Sequence, residues 1–219
     1  MTKNTFDSKR NTQFWSAIRS SPFSAYYFCL CYLLYRPGFD SLALFIAYTF
    51  NFFFNHVIKI FFKCIYHVLK TDHLPILGLG NRPPGATNCS SFLDINNPPG
   101  KSYGMPSGHS QLAWFLAIYL ILNHPTKQSI VIRVITSSIL ILIAIINSYA
   151  RVAIEKCHTI QQSIIGALIG ILFAFLITFI KDKIYNTYFK HTHQNPPSLF
   201  APSRKPANRP LVHFLCPFC

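Results

Sequence analysis

Residues 163–180, SIIGALIGILFAFLITFI, contain no ionisable side chain. About 20 apolar residues at 1.5 Å rise cross the roughly 30 Å hydrocarbon core of a bilayer. In lipid every backbone N–H and C=O must be satisfied within the segment, so this stretch is constrained to span as a helix. Two more stretches have the same dimensions. Residues 130–149, IVIRVITSSILILIAIINSY, carry Arg133 close enough to one end to snorkel toward headgroups. Residues 41–62, SLALFIAYTFNFFFNHVIKIFF, are interrupted by Asn51, Asn55, His56 and Lys59. Residues 110–123 become long enough if their helix starts at Ser107. The weakest case is 22–35, which either spans or lies in the interface before Arg36-Pro37-Gly38 breaks it. The expected fold is all-α, a polytopic transmembrane helical bundle of four or five spans.

Composition narrows the function. Hydrophobic residues make up 51% and charged residues 12%, too few charges to coat a water-soluble globule, which disfavours a soluble enzyme. Lys and Arg number 20 against 6 Asp plus Glu, a formal charge of +14 that calls for an anionic partner. The apolar runs argue against nucleic acid and leave membrane lipids or a phosphorylated substrate. The chain reads as one membrane domain, 22–185, between a basic N-terminal tail, 1–21, and a Pro-rich, disordered C-terminal tail, 186–219. No cleavable signal peptide is visible in the first twenty residues. The seven cysteines are odd in number and show no framework spacing, so a disulfide-stapled secreted mini-domain is not expected, and Cys29 and Cys31 read as small packing residues. In the C-terminal tail, His191, His193, Cys216 and Cys219 have a spacing open to metal binding, to palmitoylation of the cysteines, or to no role.

An ionisable residue beside a span is costly unless partnered and therefore points to function. Three clusters qualify: Lys59 to Arg82-Pro83, Pro106-Ser107-Gly108-His109, and Arg151 to His158. The first two share the loop of about 70–106. The chain then crosses at 107–123 and returns at 130–149, so all three can meet at one membrane face. Their residue types suit phosphate chemistry. Arginine forks bind phosphate oxygens bidentately, lysine adds a point charge, and the N–H groups opening the 107–123 helix attract an anion. One imidazole can attack phosphorus while the other protonates the departing oxygen. These loops hold no carboxylate and histidine cluster suited to Mg²⁺, so no cofactor or metal is expected and the cations must stabilise the charge.

The order Lys…Arg-Pro, Pro-Ser-Gly-His, Arg…His resembles the three-part signature of the type 2 phosphatidic acid phosphatase superfamily. Tyr103 to Gln111 with Trp114-Phe115, Asn55 to Lys59, and Ser148 to Val152 resemble its dolichyldiphosphatase branch. The likeness covers roughly 50–175 and implies a membrane helical bundle that dephosphorylates a lipid phosphate through a phosphohistidine. By that resemblance His158 is the nucleophile and His109 the acid. Lys59, Arg82, Ser107, Gly108 and Arg151 bind the phosphate, and Gln162 orients the nucleophile. The implied substrate is a polyprenyl (dolichyl) diphosphate. The alternatives are a phosphatidate or other lipid monophosphate, or a catalytically silent lipid-binding or transport protein of the same fold. A soluble haloperoxidase is excluded by the spans.

Three departures stand out. Lys59 and Arg82 have 22 residues between them, far more than the family spacing, so Lys63 or Lys70 could deliver the ammonium instead. Arg151 and His158 are one residue further apart than usual, a difference that one bulged loop residue would absorb. Gln162 stands where most members carry Asp. Its amide oxygen can still accept the ring N–H but stabilises imidazolium less than a carboxylate does.

Beside these, Glu155 and Lys156 read as solvated loop charges, and Trp114 and Phe115 as lipid-facing or packing residues. Gly166 and Gly170 form a small-residue stripe suited to close helix packing. Asn88-Cys89-Ser90 fits the N-glycosylation pattern. Lys127, Arg133, Lys181, Lys183 and Lys190 mark the far face as cytoplasmic, which turns the site to the lumen or exterior, with the endoplasmic reticulum or another endomembrane as the expected location. The basic N-terminus fits that orientation only if 22–35 fails to span.

Overall fold

The structure, a computed structural model, describes residues 13–86, 89, 103–125 and 128–189. Helical residues 13–19 lead into α1, Ser21–Tyr35, with a proline in its first turn where no intrahelical N–H is lost. Arg36 to Gly38 break the helix as expected, and α2, Phe39–Val68, runs back for 30 residues. A two-stranded antiparallel hairpin follows, β1 His73–Leu74 and β2 Gly78–Leu79, with Gly78 at a left-handed φ of 75° that favours glycine. Then come α3, Gly108–Leu122, α4, Ile130–Tyr149, and α5, Ile160–Ile184. A π-helical turn, Ala150–Ile154, extends α4, and a second, Tyr185–Phe189, extends α5.

The fold is the expected helical membrane bundle. α2, α4 with its π turn, and α5 are long and apolar enough to cross a bilayer, while α3 is a shorter apolar helix. Pro22 at the start of α1 lines one cavity with His158, and Tyr32 near its end lines another with Lys181 of α5. Arg19 stands at the site end, where its carbonyl accepts from His109. Ile130, Val134 and Leu142 on α4 and Leu172, Phe175 and Phe179 on α5 are each more than half exposed. Apolar surface of that extent suits lipid and not water. The core lies between α1, α2, α3 and α5, where Leu44, Tyr48, Phe115, Tyr119 and Phe173 close around the buried Cys29. Phe115 is thus a core residue. Cys31 is exposed, so of Cys29 and Cys31 only Cys29 packs inside.

The most extensive helix contact is α3 against α5, and the glycine stripe makes it possible. A Cβ on Gly166 would stand 2.4 Å from the Ser107 carbonyl oxygen, and one on Gly170 would stand 2.2 Å from that of Gln111. Lipid tails are as apolar as leucine, so helices in a membrane gain most from such backbone approach. A polar ladder ties α2 to α3 as well. Asn55 donates to Gln111 Oε1 at 2.8 Å, and Gln111 donates to Asn51 Oδ1 at 2.7 Å, all three side chains being buried. Together these contacts fix where α3 begins relative to α2 and α5. Gly166→Ala and Gly170→Ala should each destabilise the bundle by about 1–3 kcal/mol through overpacking, read as a lower Tm in detergent. An unchanged Tm in both would show that the helices part without cost.

Candidate active site

α2 does not stop at Lys59. It continues for more than two turns to Val68, and the hairpin brings the chain back, pinned where the Tyr66 hydroxyl donates to the Gly78 carbonyl at 2.8 Å. The long separation between Lys59 and Arg82 is thereby folded into an outward excursion, and both side chains line one cavity. That cavity has a volume of about 260 Å³ and is also lined by Asn55, Gly108, His109, Arg151 and His158. Lys63 and Lys70 are not among its lining residues. Ser107 is buried at the start of α3 without lining the cavity. Its N–H donates to the Gln162 carbonyl at 3.0 Å and is thereby occupied.

The extra residue between Arg151 and His158 is absorbed inside the helix and not by a loop bulge. The Glu155 N–H donates to the Ala150 carbonyl, the i→i+5 pattern of a π turn, a form often found at functional sites. The Arg151 carbonyl then accepts from the N–H groups of Cys157, at 3.0 Å, and His158, at 3.3 Å. The cationic residue and the imidazole are therefore bound to each other through the backbone.

His158 is oriented by a helix cap. Thr159 is the N-cap of α5, and Gln162 completes a capping box. Thr159 Oγ1 accepts from the Gln162 N–H at 3.3 Å, while Gln162 Oε1 accepts from the Thr159 N–H at 3.2 Å. The Gln162 amide has no choice of orientation, because its NH₂ donates to the carbonyls of Leu79 and Asn81, both at 2.7 Å. Its oxygen also lies 3.1 Å from His158 Nδ1 and can only accept, so Nδ1 carries the proton and the lone pair of the neutral ring is on Nε2. A Cβ on Gly104 would come within 2.7 Å of the Gln162 Nε2, so this close packing requires a glycine there. His109 opens α3 and its Nε2–H donates to the Arg19 carbonyl at 2.9 Å.

The cations are held by backbone oxygens. Lys59 Nζ donates to the Tyr103 carbonyl at 3.0 Å, Arg82 to the Cys157 carbonyl at 3.2 Å, and Arg151 to the Cys89 carbonyl at 2.8 Å. Arg151 is fully buried and also bonds Glu155, leaving its Nε without a partner. Burial, and then the neighbouring Arg151, lower the Arg82 guanidinium to about 10, which keeps it charged at neutral pH. Burial first, followed by Arg151, Arg82, Lys59 and His109, holds the His158 imidazole well below its usual range. Among the described residues no cluster of three His, Cys, Asp or Glu side chains could hold a metal ion.

Sequence reasoning misread Glu155. Its side chain is 3% exposed and bridges Arg151 and Arg19, the latter at 2.7 Å, because the π turn directs it inward. It also left the partners of Cys89 and Cys157 unidentified: these two cysteines form a disulfide beside His158. Arg19 carried no signal, since only the path of α1 brings it near His109. Asn88, Ser90 and the C-terminal histidines and cysteines lie outside the described residues.

The structure is thus a helical membrane bundle with a cavity lined by cationic side chains and two histidines. The chain matches the PAP2 superfamily over residues 40–185, and it belongs to that family. It is 33% identical to dolichyldiphosphatase 1 of Dictyostelium discoideum over 92 residues, 40% of each chain. It is 31% identical to dolichyldiphosphatase 1 of Homo sapiens over 110 residues, 46% of each chain. The matched stretch spans less than half the length of either relative. No solved structure matches the chain.

The depressed His158 and its Gln162 contact set a titration. Protonation is expected only well below the ordinary histidine pKa of about 6.5. Nitrogen NMR of histidine-labelled protein at pH 6 should find His158 neutral and protonated on Nδ1, with Gln162→Leu giving mixed tautomers. A half-protonated ring at pH 6.5 would contradict the arrangement.

Proposed function

We propose that the protein is an integral-membrane lipid phosphatase that converts a polyprenyl diphosphate to its monophosphate through a phosphohistidine, without a metal. The observation that carries this reading is the convergence of His109, His158, Lys59, Arg82 and Arg151 on one cavity. His158 Nε2 attacks the terminal phosphorus. A P–N bond forms, the P–O bond to the bridging oxygen breaks, and His109 gives that oxygen a proton as the lipid monophosphate leaves. Water then attacks the phosphorus and passes a proton to His109, the P–N bond breaks, and inorganic phosphate departs. Lys59, Arg82 and Arg151, with amides at the start of α3, bind the phosphoryl oxygens and offset the charge that grows on them. Gln162 keeps the lone pair of His158 on the attacking nitrogen.

Two features support the choice of substrate and compartment. The matched relatives are named dolichyldiphosphatases. A disulfide persists in oxidising compartments, which supports a site facing the lumen of the endoplasmic reticulum or another endomembrane. Arg133, Lys181 and Lys183 lie at the ends of helices away from the cavity, in keeping with a cytoplasmic far face.

Purified protein given dolichyl diphosphate labelled on its terminal phosphate should trap label on wild type but not on His158→Ala. That variant should lose roughly a thousandfold or more in kcat, and wild-type turnover should be unchanged in excess EDTA. Label retained by His158→Ala would overturn the nucleophile, release from phosphatidate alone would overturn the substrate, and loss of turnover with chelator would overturn the metal-free route.

A further inference from the structure

We propose that the Cys89–Cys157 disulfide is a positioning device for the anion pocket, holding the Arg82 and Arg151 guanidiniums in place so that only the oxidised protein has a complete site. This rests on the reading of the cavity as an anion site, and not on which lipid carries the anion. The bridge joins the loop between α2 and α3 to the segment between α4 and α5, with Cα atoms 5.5 Å apart across 68 positions of chain. Its two residues also supply the carbonyls that accept from the two arginines of the pocket. Arg82, from the loop side, donates to the Cys157 carbonyl at 3.2 Å. Arg151, from the helix side, donates to the Cys89 carbonyl at 2.8 Å. Each arginine thus reaches across the bridge to the opposite strand of chain.

Several features make the bridge local to the chemistry and not a remote staple. Cys89 lines the cavity, and Cys157 is fully buried immediately before His158. With Ala86 the two cysteines form a small buried cluster separate from the main core between the helices. Arg151 has no route to compensate for a lost carbonyl from its Nε, which is already buried and unpartnered. The helix contacts that hold α2, α3 and α5 together lie elsewhere, in the glycine stripe and the Asn55–Gln111–Asn51 ladder. Opening the bridge should therefore disturb the arginines more than the bundle.

A dithiol opens it in a balanced exchange. One thiolate attacks a bridge sulfur, the S–S bond breaks, and the second thiolate resolves the mixed disulfide. Two electrons and two protons end on Cys89 and Cys157, and the reductant leaves as a cyclic disulfide.

The test uses full-length protein in detergent and reads binding of orthovanadate as well as turnover. Alkylation without prior reduction should leave Cys89 and Cys157 unmodified by mass spectrometry, and alkylation after dithiothreitol should label both. Reduced protein, Cys89→Ser, Cys157→Ser and the double variant should all bind orthovanadate about tenfold or more weakly, as loss of a charge-assisted contact implies. The three variants should lose the same amount, because one bridge is removed in each. Arg151→Lys should cost much less in the double variant than in wild type, which a purely structural staple would not produce. Tm should fall by only a few degrees, and Cys31→Ser and Cys64→Ser, at exposed free thiols, should leave binding and its dithiothreitol response unchanged. Free Cys89 and Cys157 thiols in unreduced protein would overturn the proposal, as would unchanged vanadate affinity after verified reduction. If no lipid diphosphate is turned over yet vanadate binding still weakens on reduction, the substrate reading fails and this inference stands.

Discussion

Three cationic side chains share a buried cavity with two imidazoles, and the rest of the site is organised around that concentration of like charge. Lys59, Arg82 and Arg151 repel one another in a medium where charges are poorly screened. A buried positive charge persists only where oxygens surround it. The chain supplies the carbonyls of Tyr103, Cys157 and Cys89 and the carboxylate of Glu155. Burial first, and then these neighbouring cations, hold the His158 imidazole well below its usual range.

The backbone that delivers these groups is shaped by three local devices. The π turn after α4 points Arg151 and Glu155 inward together and lets the Arg151 carbonyl hold the His158 N–H. The capping box of α5 assigns one glutamine two tasks, opening a helix and setting an imidazole tautomer. The glycines of α5 let the carbonyls of α3 approach closely, which places His109 at the correct end of the bundle. Each device is short-range, yet each is useful only because the other elements arrive at the same membrane face.

Much of this was legible in the sequence. The uncharged stretch around Gly166 and Gly170 and the apolar run from Ile130 set the spans by length alone. The segments holding Lys59, Arg82, His109, Arg151 and His158 could be assigned to one face by counting crossings. Other features depend on three-dimensional paths that a linear pattern does not encode. The pairing of Cys89 with Cys157 depends on how the excursion beyond α2 folds back. The inward turn of Glu155 depends on one extra residue being taken up as a π turn. The place of Arg19 depends on how the chain enters α1, a helix of only 15 residues. The wide Lys59 to Arg82 spacing looked like a defect in the pattern because the intervening chain leaves the cavity and comes back.

The most direct measurement is a structure of the protein with orthovanadate bound in detergent or nanodisc. The account predicts vanadium within bonding distance of His158 Nε2, its oxygens met by Lys59, Arg82 and Arg151, and His109 on the side opposite the new bond. Vanadate bound away from His158, or bound there with His109 on the same side as the attacking nitrogen, would contradict it.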